Sequence, residues 1–202
     1  MRPRNFLVAF VLGIAIAAGI WVSVSLRGPA ARPNAATILP APIELPQFSL
    51  LDQHGQSIGN EVFAGEWDLV FFGFTNCPDI CPLTLQLLSQ VKVRLAEAKH
   101  EPLPRIVFVS VDPQRDTPAA IDSYISFFGK DHLGITGELD ELRKLTSALG
   151  IFFEKNDGDD YVVDHSVVVL VIDPQSRMSA LFGAPHRIDD LVHDLPLIMA
   201  RE

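Results

Sequence analysis

Thiols are scarce in this chain: its 202 residues hold two cysteines, Cys77 and Cys81. With 48% hydrophobic residues there is material for a real core, so disulfide staples are not needed to hold the fold. No second Cys or His pair is present, which argues against a closed four-ligand zinc site, since such sites normally combine two pairs. Basic residues are also few, 16 against 25 acidic ones, for a net charge of −9. That balance argues against nucleic acid, whose binders concentrate positive charge. There is no internal repeat and no low-complexity tract, which removes solenoid and array architectures. The acidic turn EKNDGDD, Glu154 to Asp160, lacks the EF-hand spacing of a calcium loop. Five residues precede the first apolar run, too few for a mitochondrial transit peptide.

That apolar run is FLVAFVLGIAIAAGIWVSVSL, Phe6 to Leu26, without a single charge. As a helix it would be roughly 31 Å long, enough to span a bilayer. Arg2 and Arg4 precede it, which favours an N-terminus kept in the cytoplasm. Residues 1–27 are therefore expected to form a single transmembrane helix in a bacterial inner membrane, with the C-terminal domain in the periplasm. A cleaved signal peptide is the alternative, with Ala31 and Ala36 marking small-residue sites, although its apolar core is usually roughly 7–15 residues. Residues 28–44, rich in alanine and proline, read as a stiff spacer that could hold a domain off the membrane. The globular domain is then expected over 45–202.

Within it, FSLLDQHGQSIG alternates and turns at Gly55, suggesting an N-terminal hairpin. WDLVFFGF (Trp67–Phe74) and RIVFVSV (Arg105–Val111) read as buried central strands. Between them, Leu83, Leu87, Leu88, Val91 and Leu95 recur at helical spacing over Pro82–Lys99. Thr117–Pro118 opens a second helix running to Phe128, Glu138–Leu149 is a third, and Arg187–Met199 a fourth. HSVVVLVID, His165 to Asp173, reads as one strand, with Met178–Phe182 as its hairpin partner. Strands alternating with helices imply an α/β fold with a parallel core, and the late strand pair adds an antiparallel edge. That order fits a thioredoxin-like domain.

The dithiol lies where the first long strand turns into the first long helix, in FFGFTNCPDICPLTL. In open α/β sheets this carboxyl end is where ligands bind. The helix N-terminus should lower the thiol pKa there. Cys-x3-Cys spacing puts both sulfurs on one helical face, able to clamp a metal or, with slight relaxation, close a disulfide. Two soft thiolates suit copper(I), and one added imidazole would also serve copper(II). Of six histidines, His54, His100, His132, His186 and His193 read as turn, helix-end or surface residues. His165 differs, standing after Asp164 at the head of an apolar strand. On its own, a partly buried structural histidine remains the better reading of it.

Three motifs together change that reading: FTNCPDICP (Phe74–Pro82), SVDPQRDTP (Ser110–Pro118) and YVVDHSVVVLVIDP (Tyr161–Pro174). With them the chain resembles the Sco/SenC family, copper chaperones of cytochrome c oxidase assembly. The resemblance implies a thioredoxin-like fold and a copper ion held by Cys77, Cys81 and His165. It also implies partners: subunit II of cytochrome c oxidase, and other periplasmic copper chaperones or thiol reductants. In the second motif, Asp116 or Thr117 can cap the helix that follows, a structural role. Asp164 could orient the imidazole, or be a solvated loop acid, and Asp79 could present a carboxylate to a partner.

The leading expectation is a copper chaperone serving the copper-A centre by ligand exchange. A thiol–disulfide oxidoreductase that reduces the acceptor's cysteines is the alternative, attacking through a mixed disulfide. His165 separates them, because thiol exchange does not need it. A peroxiredoxin-like peroxidase has only Thr84 and Arg115 as loose candidates for its pocket, and a redox copper sensor is a further reading.

Overall fold

Every residue of Asp68–Gly73 (β4) is buried, because this strand runs through the middle of a sheet covered on both faces. The computed structural model describes residues 12–19, 21, 32–156 and 163–201. The chain divides into two units, residues 1–32 and 33–202. In the first, Leu12–Gly19 is helical. Among the described residues no helix is long and apolar enough to cross a membrane, and most of the expected span Phe6–Leu26 lies outside them.

In the second unit the strands are β1 (Ala36–Glu44), β2 (Leu50–Asp52), β3 (Ser57–Ile58), β4, β5 (Arg105–Ser110), β6 (Leu133–Thr136), β7 (Phe153–Lys155), β8 (Val163–His165), β9 (Val168–Ile172) and β10 (Arg177–Gly183). The helices are α1 (Ile80–Glu97), α2 (Pro118–Ile125), α3 (Leu139–Ala148) and α4 (Ile188–Met199). Eight strands form one sheet in the order β1-β10-β9-β4-β5-β6-β2-β3, and β7 pairs with β8 apart from it. β4, β5 and β6 are mutually parallel, whereas β9 runs antiparallel to β4 and β10 antiparallel to β9. This is the parallel core with an antiparallel edge that alternating strands and helices imply, and the hairpin turning at Gly55 is β2–β3.

α1 buries Leu85, Leu88, Val91 and Leu95, one face at helical spacing. α2 starts where Thr117 Oγ1 accepts the Ala120 N–H, with Pro118 at its first position. Thr117 is thus the cap, while Asp116 serves elsewhere.

Three expectations change. Ala36–Glu44, assigned to the spacer, is a strand paired antiparallel with β10, so half of residues 28–44 belong to the sheet. β6 was absent from the expected order because four residues containing a glycine carry little strand signal. Gly134 is nonetheless required, since a Cβ there would come within 2.2 Å of Ile121 Cγ2 on α2. The expected strand His165–Asp173 is broken after His165. Ser166 N–H donates to Phe152 O at 2.9 Å, and Ser166 Oγ accepts the Phe152 N–H at 3.0 Å. Those bonds turn Val163–His165 aside to pair with Phe153–Lys155.

Candidate metal centre

β4 ends at Gly73, and the chain turns through Phe74–Asp79 into α1. Cys77 N–H donates to Phe74 O at 3.2 Å, closing the turn, and Cys81 falls in the first turn of α1. Cys77 is nearly buried and Cys81 is fully buried, both as free thiols. The β7–β8 ribbon brings His165 over this turn. Its Nε2 lies 3.6 Å from Cys81 Sγ, and one donor atom from each of Cys77, Cys81 and His165 lies within 4.8 Å of the other two. Among the described residues this is the one cluster of three or more His, Cys, Asp or Glu side chains able to share an ion.

The imidazole is held from three sides. Phe71 and Phe74 meet it edge-on, each with ring centroids 6.0 Å away. Nδ1 faces the Ser166 carbonyl at 3.2 Å and donates to it, which leaves the lone pair of Nε2 aimed at the sulfurs. Burial lowers the His165 pKa, against the Ser166 bond and the Asp164 charge, so the ring is neutral at pH 7. Asp164 itself is exposed, and the orienting contact comes from Ser166.

The expectation that the helix N-terminus lowers the thiol pKa fails at Cys81. Burial pushes this thiol strongly up, with Cys77 and the Asp116 charge adding to it and the Phe74 backbone opposing. A helix N-terminus acts through a partial charge, and full burial outweighs it here. Gly73 makes the burial possible. A Cβ on it would lie 2.8 Å from Cys81 Sγ and 3.0 Å from Phe108 Cε2. The sequence shows this glycine as the end of an apolar run, with no sign that a sulfur packs on it.

The remaining histidines lie away from the cluster. His54, His100 and His193 are exposed, and His186 is half-buried. His132, expected on the surface, is buried with Nε2 3.1 Å from Ser89 Oγ. Asp79 is exposed at the start of α1 and makes no side-chain cap. Thr84 is buried within α1, and Arg115 pairs with Asp112 and stacks over Phe74, 5.7 Å from its centroid. Residues 157–160 of the acidic turn lie outside the described residues. Over the cluster opens a hollow of about 280 Å³, lined by Phe74, Cys77, Pro78, Asp79, Ile80, Val163, Asp164, His165 and Val167.

Two thiols and an imidazole at the carboxyl end of a central parallel strand define a thioredoxin-like protein with a dithiol–imidazole site. The chain belongs to the SCO1/SenC family, whose model matches residues 37–200. The mitochondrial SCO2 homolog of Mus musculus is 35% identical over 151 residues, 73% of this chain and 59% of that protein. The crystal structure of Arabidopsis thaliana ScoI with copper bound is 29% identical, with a TM-score of 0.74 over 78% of this chain and 99% of that one. BsSco, described as a member of the Sco family of cytochrome c oxidase assembly proteins, is 22% identical, with a TM-score of 0.66 over 82% and 99%. At that identity BsSco supports the fold alone.

Proposed function

We propose that this chain is a copper-binding chaperone that delivers copper to the copper-A centre in subunit II of cytochrome c oxidase. The observation that carries the reading is the convergence of two sulfurs and a correctly turned imidazole within 4.8 Å, in a family whose solved members include a copper-bound one. Cys77 and Cys81 supply soft thiolates, and His165 Nε2 supplies the nitrogen that copper(II) prefers. Binding displaces the thiol protons, so the strongly raised Cys81 pKa keeps the Cys81 sulfur protonated until a metal competes for it. The open hollow leaves room for an acceptor's thiolates to take over the ligand positions one at a time.

The raised Cys81 pKa argues against Cys81 as the attacking thiol of the thiol–disulfide oxidoreductase alternative, because exchange needs a thiolate nucleophile. The charge-free run Phe6–Leu26, with Arg2 and Arg4 before it, supports anchoring in a bacterial inner membrane with the copper domain in the periplasm. Carbonate extraction of membranes tests that placement, and a soluble form beginning near Ala31 to Thr37 would make the run a signal peptide.

His165→Ala separates chaperone from reductase. The variant keeps both thiols, so it should retain some copper(I), lose most copper(II) affinity and still exchange disulfides. Oxidase activity is read in a deletion strain carrying each variant, with Cys77→Ser and Cys81→Ser as inactive controls. A chaperone requires His165→Ala to fail in assembly; near-normal oxidase activity would promote the reductase.

A further inference from the structure

Asp116 is fully buried, and among the described residues it forms no ion pair with a lysine or arginine. Its carboxylate instead collects three hydrogen bonds. Oδ1 accepts from Thr75 Oγ1 at 2.5 Å, and Oδ2 accepts from Thr75 N–H at 2.9 Å and from Ser110 Oγ at 2.5 Å. Ser110 Oγ already accepts the Asp112 N–H at 3.1 Å, so its own proton is free to go to Asp116. Both carboxylate oxygens thus act as acceptors, for three donors in all. The backbone on which this carboxylate sits is fixed as well: Asp116 N–H donates to Asp112 O at 2.9 Å, and Asp116 O accepts from Thr136 Oγ1 at 3.1 Å.

What Asp116 grips is the turn of the metal centre. Thr75 lies two residues before Cys77, and Cys77 N–H is bonded back to Phe74 O. The negative charge sits against this turn, with Asp116 Oδ2 2.9 Å from the Thr75 amide nitrogen, two residues from the Cys77 ligand. A charge buried this deeply is poorly screened by water or salt.

We infer that Asp116 is a positioning residue of the copper site, one that holds the Phe74–Cys77 turn and, by its fixed negative charge, favours copper(II) over copper(I). The inference rests on the proposed copper function. The physics is Coulombic: copper(II) carries one more positive charge than copper(I), so a nearby carboxylate stabilises it more. A residue that only braced the turn would affect both oxidation states alike.

The test uses full-length protein in detergent. Copper(I) and copper(II) affinities are measured by competition with chelators for wild type, Asp116→Asn and Thr75→Val. Asp116→Asn removes the charge at nearly constant shape, and the ratio of copper(II) to copper(I) affinity should fall on the order of tenfold. Thr75→Val keeps the charge and removes one bond to the turn. Both of its affinities should fall together, with the ratio unchanged. In metal-free protein the Thr75 amide should exchange its hydrogen faster in Asp116→Asn than in wild type, a readout independent of copper.

An unchanged ratio in Asp116→Asn, with wild type binding both oxidation states, overturns the charge role alone. Failure of wild type to take up copper removes the proposed function and the charge role with it, while Thr75 exchange still decides the positioning role. Should Asp116→Asn not fold, Thr75→Val carries the test, and affinities equal to wild type would overturn the positioning role.

Discussion

At Gly73 one absent methyl group sets the depth of the site. A Cβ would stand 2.8 Å from Cys81 Sγ, so Gly73→Ala must displace either the sulfur or the strand. Overpacking of this kind costs about 1–3 kcal/mol, and the strain here falls directly on a candidate ligand. The variant should fold with a lowered denaturation midpoint and a weaker copper affinity, read by urea titration and by chelator competition. Copper affinity equal to wild type would show that Cys81 does not need its seat against β4. Residues of this sort bound what a sequence can disclose. Cys77, Cys81 and His165 are legible because their chemistry is rare and their motifs specific. Gly73 and Asp116 act only through contacts between separate elements, and Thr75 to Asp116 alone spans 41 positions.

Elements were legible where their pattern is long. α1, β4 and β5 each carry enough consecutive or periodic apolar residues to declare their type, and the three form the frame of the dithiol. β6, β7 and β8 have four residues or fewer, below the length at which periodicity means anything. His165 sits on one of these, which is why its position on a separate ribbon escaped a reading that placed it in a continuous strand. The contact between α1 and the chain before β6 was equally hidden. There His132 packs on Ser89 of α1, and a Cβ on Gly129 would lie 2.6 Å from its ring. Burial lowers the His132 pKa and Lys92 adds to the effect, while Asp131 and the Phe128 backbone oppose it. The sign follows by linkage. The unfolded chain protonates this histidine near pH ~6.5, the folded chain only at lower pH, so stability is lost as pH falls below ~6.5 and levels off under the folded pKa. Relative to His132→Gln, wild type should therefore lose stability between pH 7.5 and 5 in urea unfolding. Equal losses in both proteins would mean that His132 is not a source of acid sensitivity.

For the whole molecule, the boundary of the folded unit matters most. The spacer composition, alanine and proline, hid a strand because Pro40 and Pro42 argue against a central strand, and β1 is tolerated only as the outermost strand, with its register shifting between Ile38 and Ile43. With β1 in the sheet and Asn34 and Ala35 bonded to it through Asp194, the spacer expected over 28–44 shortens to residues 28–33. A buried carboxylate locks the strand in place. Asp194 of α4 is fully buried and accepts the backbone N–H groups of Asn34, Ala35 and Ala36 at 2.7, 2.8 and 2.8 Å. Burial opposes its ionisation, but His193 and these three N–H groups outweigh that and hold its pKa below the usual carboxylate range. A domain starting at Leu45 would lose all three backbone donors and leave the outer edge of β10 unpaired. It would also uncover the apolar face against which Ala36, Ile38 and Leu39 pack. A buried carboxylate stripped of donors costs at least about 1–3 kcal/mol, and the lost packing adds to it, against a total stability of only about 5–15 kcal/mol for a domain. The version beginning at Pro33 should therefore unfold well above the one beginning at Leu45, and the shorter one should self-associate through its bare edge. Thermal unfolding by circular dichroism and size-exclusion chromatography of the two versions decide this. Equal melting temperatures would show that β1 lies on the sheet without holding it.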